Sequence, residues 1–236
     1  MQNYKEFYIL GLPIKVEDVG EAHFIKVKEL PKFISYQNIL TIDKDRIAQM
    51  YREQNIDKNA IEYFINHISL YQWIINVPEF KELYSQLFNF IFKEDVFDKV
   101  NEDNFEFIRQ LIMNMNCIKE EKQNPNSEIQ KWIEKSKKFN ENMAGKLEFQ
   151  DIVSSVVVYM GVSYDVVNEM TLYQLYMTFR RINAFKDYDT TTLFATVSTE
   201  KMNIESWCKC IDLFENAKED NAMSREKYNK LKNNVF

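Results

Sequence analysis

Four glycines and four prolines are spread through 236 residues, and that scarcity most limits what the chain can become. A sheet-rich or loop-rich chain of this size needs turn formers at every reversal, because Gly, Pro and Asn supply the backbone angles that tight turns demand. Helices joined by short connections need far fewer. Apolar residues at 45% and charged residues at 28% are enough to bury a core and too hydrophobic for disorder. The expected fold class is therefore mainly α, a multi-helix globular domain, with one exception near the N-terminus.

The exception is a small β-hairpin. Phe7-Tyr8-Ile9-Leu10 and His23-Phe24-Ile25-Lys26-Val27 are short β-prone runs with the turn-like Glu17-Asp18-Val19-Gly20 between them. Gly11 and Pro13 interrupt the first run, so that strand is expected to be short or bulged, and a lone hairpin needs helices to cover one face.

Beyond Leu30 the hydrophobic period becomes helical. Pro31 suits a first helical turn, Asp43 is placed to cap a segment reaching Asn55, and Asp57 to cap the next. In that next segment Ile61, Phe64, Ile65, Ile68 and Tyr71 recur at steps of three and four, which predicts one helix with a single core-facing side. Pro78 opens a helix striped by Leu83, Leu87, Phe88 and Ile91, and Asn101 precedes another striped by Phe105, Ile108, Leu111 and Met115. Asn124-Pro125-Asn126-Ser127 is the strongest turn signal and a candidate boundary, followed by a polar helix over 128–142. Val153 to Tyr159 could be a strand by composition. Its acidic start at Glu148 and Asp151 and the terminating Gly161 favour a helix. Ser163 and Thr171 can cap further helices, Leu172 to Phe185 forms an amphipathic one, and Tyr188–Ser198, Ile204–Asn216 and Ser224–Lys232 read as three short ones. The division expected is a hairpin element over 1–30 packed on the helices, an N-terminal helical region over 31–123 and a C-terminal one over 124–236.

Chemistry is harder to find. The glycines are isolated and no Gly-Lys-Ser/Thr occurs, which removes the phosphate loop and the dinucleotide fingerprint. His23 and His67 have no metal-ligand spacing, and Cys208 and Cys210, two apart on an expected helix, would not face each other. No catalytic residue, cofactor or metal is expected, although carboxylates such as Glu120, Glu121, Asp187 and Asp189 could assemble a site that no local motif announces. An odd number of cysteines argues against a disulfide framework. No apolar run spans a bilayer, the N-terminus lacks a secretory layout, and a cytoplasmic protein without membrane contact is expected.

A net charge of -6 disfavours nucleic acid, itself negative, and favours a protein partner with basic character. Tyr173, Tyr176, Phe179, Arg180 and Arg181 mix aromatic and basic residues, the types that anchor protein interfaces. With Leu172, Leu175, Phe179 and Ile182 facing inward, Tyr173, Gln174 and Arg180 fall off the apolar stripe and are the interface candidates.

The run Tyr164-Asp165-Val166-Val167, followed by Met170-Thr171, Gln174-Leu175, Phe179 and Arg181-Ile182, resembles the C-terminal helical pattern of tail assembly chaperones from phages of Gram-positive bacteria. The resemblance covers residues 149–214. It implies a non-enzymatic protein that binds the long helical tape measure protein in the host cytoplasm, keeps it soluble until tube subunits replace it, and is absent from the finished particle. Three other readings stay open: a stoichiometric inhibitor of a host defence protein, a structural head or tail component, and a hydrolase built from dispersed carboxylates. The oligomeric state is not expressed in the sequence.

Overall fold

The computed structural model describes residues 4–54, 57–119, 147–199 and 202–213. The chain begins with a helix, α1 (Lys5–Leu10), rather than the expected first strand. Phe7, Ile9 and Leu10 are exposed while Tyr8 turns inward against Phe24 and Tyr173, so one inward ring fixes the segment and β propensity does not decide it. Gly11 ends α1 in the left-handed conformation, with φ +66°. A Cβ there would meet Thr171 Cγ2 at 3.0 Å, so glycine serves both the turn and the close approach of α1 to the second half of the chain.

The hairpin exists, shifted inward between the two expected runs. Strands β1 (Ile14–Val16) and β2 (Gly20–Ala22) pair antiparallel with Ile14 opposite Ala22 and Val16 opposite Gly20. Ile14, Val16 and Ala22 are buried while Lys15 and Glu21 are exposed, the alternation of a sheet with one wet face. The turn does fall on Glu17-Asp18-Val19. His23 lies just past β2, where its backbone N–H donates to Ile91 O at 3.0 Å.

Helices follow at short intervals: α2 (Leu30–Leu40), α3 (Lys44–Glu53), α4 (Lys58–His67), α5 (Leu70–Asn76), α6 (Pro78–Phe92) and α7 (Glu102–Met115). Asp43 caps α3 by accepting from Arg46 N at 2.7 Å, and Asn101 caps α7 by accepting from Asp103 N and Asn104 N. The single helix expected through Ile61 to Tyr71 is broken in two. Ser69 Oγ accepts from Gln72 N while Gln72 Oε1 accepts from Ser69 N, a capping box that starts α5 afresh and leaves Ile68 extended.

After residue 146 come α8 (Phe149–Met160), α9 (Tyr164–Glu169) and α10 (Leu172–Val197). The Val-rich run is a helix, ended by Gly161 at φ +66°. α10 continues where two helices were expected: its 26 residues contain neither Gly nor Pro, and nothing interrupts the ladder at Phe185. At 1.5 Å per residue it is about 39 Å long. Met202–Leu213, expected to start another helix, has no regular secondary structure. The segments 124–127, 128–142 and 224–232 lie outside the described residues.

The core lies where α6 and α7 cross the hairpin and α2. Leu87, Phe88, Ile108, Ile112, Ile14 and Leu40 are completely covered, and the rings of Tyr84, Phe88 and Phe105 meet edge to face at 5.3 to 6.5 Å. Tyr84 Oη donates to Ile39 O at 3.0 Å. Arg109 is enclosed among these residues, its Nη1 2.8 Å from Glu106 Oε1, so a cation sits inside the core with a carboxylate beside it.

Val156, Val167, Leu172 and Leu175 belong to the same hydrophobic cluster, so both halves of the chain share one core. They are also stitched by backbone. Val27 N donates to Met170 O at 2.9 Å, Leu172 N donates to Ile25 O at 3.0 Å, and Lys26 and Lys28 both pair with Glu169.

Candidate functional site: an apolar groove

The stitching sets the start of α10 beside α1, and the C-terminal end of α8 lies along the next turns. Between them runs a groove of about 840 Å³. Tyr4, Tyr8 and Ile9 come from α1 and the residue before it; Tyr159 and Met160 end α8; Tyr173, Met177, Ile182 and Phe185 come from α10; Asn114 belongs to α7. The far wall is Cys210, Ile211 and Asp212 of the Met202–Leu213 segment, hereafter the strap. The surface is mostly aromatic, aliphatic and thioether, and Lys5, Arg181 and Asp212 also contribute to it. Such a lining suits an apolar ligand or helix face.

Local chemistry explains each placement. Thr171 Oγ1 accepts from Gln174 N at 3.1 Å and Gln174 Oε1 accepts from Thr171 N at 2.8 Å, a capping box that fixes where α10 starts and which side faces α1. Gln174 Nε2 donates to Ile9 O at 3.0 Å, tying α1 to α10. Gln174 is thus engaged in structure. Tyr173, expected off the apolar stripe, is buried at 7% exposure with its ring 5.1 Å from that of Tyr8. The correction has a geometric cause: α1 covers one flank of α10 and α8 another, so the covered arc is wider than a stripe read from one helix. Arg180 is exposed, as expected.

Arg181 is the neighbour that sequence reasoning did not single out. Its Nη1 donates to Trp207 O at 2.5 Å and to Lys209 O at 3.1 Å, while Phe185 stacks on Trp207 with centroids 4.5 Å apart. These contacts hold the strap against α10. Only the strap's place in space reveals this role, since no spacing rule links Arg181 to residues 26 and 28 positions away.

Four titratable groups in or near the groove are shifted by burial. Tyr8 and Cys117 are each pushed up to about 12, and Tyr173 and Tyr176 also move upward. All four stay protonated near neutral pH, and the Cys117 thiol is correspondingly unreactive. Cys208 and Cys210, expected on a packed helix, are instead exposed on the irregular strap. Glu120 and Glu121 lie outside the described residues, while Asp187 and Asp189 sit on α10 two positions apart and point in different directions. Among the described residues no group of three or more His, Cys, Asp or Glu side chains could hold a metal ion, and no helix is long and apolar enough to cross a membrane.

Residues 2–125 match the family model for the YomV N-terminal domain, and residues 138–212 match that for the YomV second domain. The chain belongs to the YomV family. It is 34% identical over 219 residues, 91% of each chain, to the SPbeta prophage-derived uncharacterized protein YomV of Bacillus subtilis (strain 168). No solved structure matches. In YomV terms the groove is a junction: α1 and Asn114 belong to the N-terminal domain, whereas α8, α10 and the strap as far as Asp212 belong to the second.

Proposed function

We propose that this YomV-family chain is a phage-derived, non-catalytic protein-binding factor that receives an apolar helix in the groove, acting as a tail assembly chaperone for the tape measure protein. The observation that carries the reading is the groove of about 840 Å³ between the two YomV domains, walled by Tyr, Met, Ile and Phe side chains. An amphipathic helix docks by laying anchors at i, i+3, i+4 and i+7 into such a surface. Methionines adapt to helices of varied sequence, which suits a long partner with many similar segments. The net charge of -6 limits self-association and favours a partner with basic flanks. Phage origin is supported by the prophage relative, and the chaperone role by the resemblance in residues 149–214.

The lining argues for contact over catalysis. Tyr8 and Tyr173 stay protonated at neutral pH and offer neither a base nor a nucleophile there. The test is co-purification of the tagged full chain from infected or induced cells, with partners identified by mass spectrometry. Recovery of a large helical phage protein, diminished by Met177→Glu, is the expected outcome. Recovery of a host protein instead, or capture indifferent to Met177→Glu, overturns the reading.

A further inference from the structure

We infer that the strap, over its exposed stretch 202–210, is a releasable wall of the groove, latched by Arg181 and opened to admit the partner; its purpose rests on the reading above, but its test does not. The strap lacks helix or strand, and among its described hydrogen bonds the backbone pair, Lys209 N to Ser206 O at 3.3 Å, is internal to it. Residues 202–210 are all exposed. Over residues 202–210 its main described grip on the body is at one place on α10: Arg181 Nη1, which donates to the carbonyls of both Trp207 and Lys209, and the Phe185–Trp207 stack one turn further on. Beyond these, the end of the strap is anchored: Ile211 packs at the core's edge, Asp212 interacts electrostatically with Tyr173, and Leu213 is buried, so the releasable part is the exposed stretch 202–210 that leads into the wall.

That distribution is the signature of a segment able to open without global unfolding. Local opening follows the contacts that a segment makes with the rest of the fold, and a few exposed ones give a low opening free energy. Opening would uncover the flank of α10 that carries Met177 and Phe185. A guanidinium bound to main-chain carbonyls grips the strap whatever its side chains are. Arg181 therefore sets how often the wall is open, while its neighbour Arg180, exposed on the same helix, has no part in the latch.

The experiment is limited trypsin digestion of the full-length protein, following cleavage after Lys209 by mass spectrometry, with thermal unfolding measured alongside. Arg181→Met and, within the strap itself, Trp207→Ala are expected to speed that cleavage about tenfold, the change that loss of one charge-assisted contact produces, at an unchanged thermal midpoint. Arg180→Met is the control and should match the wild type. Equal rates in Arg181→Met and wild type overturn the inference, as does an acceleration that only tracks a lowered midpoint. A fluorescent, leucine-striped amphipathic peptide separates this from the groove reading. Peptide that binds and speeds cleavage after Lys209 supports both. Peptide that binds without exposing Lys209 overturns the release and leaves the groove standing. Peptide that binds neither wild type nor Trp207→Ala sinks the groove reading, and the cleavage rates alone then decide the latch.

Discussion

Between Leu172 and Ile182, α10 is part of the core, with Leu172, Tyr173, Leu175 and Ile182 buried; between Asn183 and Val197 none of its residues is buried. Apolar residues are present in both stretches. Leu175 is completely covered, whereas Leu193, Phe194 and Val197 are 57 to 76% exposed. The difference lies in what stands opposite. The first stretch meets α1 and α8, and α8 is running out where Lys186 Nζ lies 5.3 Å over the Tyr159 ring. Helical periodicity identifies a helix, but burial requires an opposing element. Past Phe185 the helix projects beyond the shared core.

Leu175→Ala breaks this contrast most severely. The side chain is fully buried, so truncation is expected to cost about 2–5 kcal/mol in denaturant unfolding. Tyr173→Ala follows, at about 3 kcal/mol, because the ring packs on Tyr8 although one edge lines the groove. A variant that kept wild-type stability would return Tyr173 to the exposed side where the single-helix stripe puts it. Thr171→Ala removes the cap and is expected to cost about 1 kcal/mol. At the other end, Phe194→Ser and Arg180→Ala should each stay within about 0.5 kcal/mol of wild type, since both side chains are exposed. A large loss from Phe194→Ser would mean that the projecting stretch is covered in solution.

These contrasts also show what was legible. The caps Asp43, Asp57, Asn101 and Thr171 are written in single residues next to hydrophobic periods, and each opens a helix as expected. Gly161 likewise decides helix over strand for the Val-rich run by ending it. Ser69 and Gln72 break the expected single helix by forming a capping box inside its apolar stripe, and the two pieces then bury that stripe in different places: α4 packs Phe64 against Tyr51 of α3, while α5 joins the main core through Ile74. Phe7 to Leu10 is β-prone in composition, yet the decision is made by Tyr8 docking on Tyr173, a contact between residues 165 apart. The groove is illegible for the same reason. Its walls come from five separate stretches of chain, and Arg181 gains its role only when the strap arrives.

The smallest effect concerns what pins the buried stretch of α10 in place. Glu169, two residues before the Thr171 cap, pairs with Lys26 at 2.7 Å and with Lys28, beside the backbone bridge from Ile25 and Val27. Hydrogen bonds from Lys26 and Lys28, with their charges, hold the Glu169 carboxyl down to about 2. A carboxylate lowered on folding stabilises the native state above its ordinary value of 4.5, and that contribution fades as pH falls through about 2. Lys26 is raised mainly by its hydrogen bond to Glu169, so its share is present below 10.5 and is lost as pH rises through its elevated folded value. Both partners are exposed, so salt should weaken the pair. Glu169→Gln is therefore expected to lower the neutral-pH midpoint slightly, to flatten the acid limb of a stability-against-pH curve below pH 4.5 so that variant and wild type converge towards pH 2, and to remove part of the salt dependence. An acid limb identical in the variant would mean that the backbone bridge alone fixes the start of α10, and that the ion pairs merely decorate it.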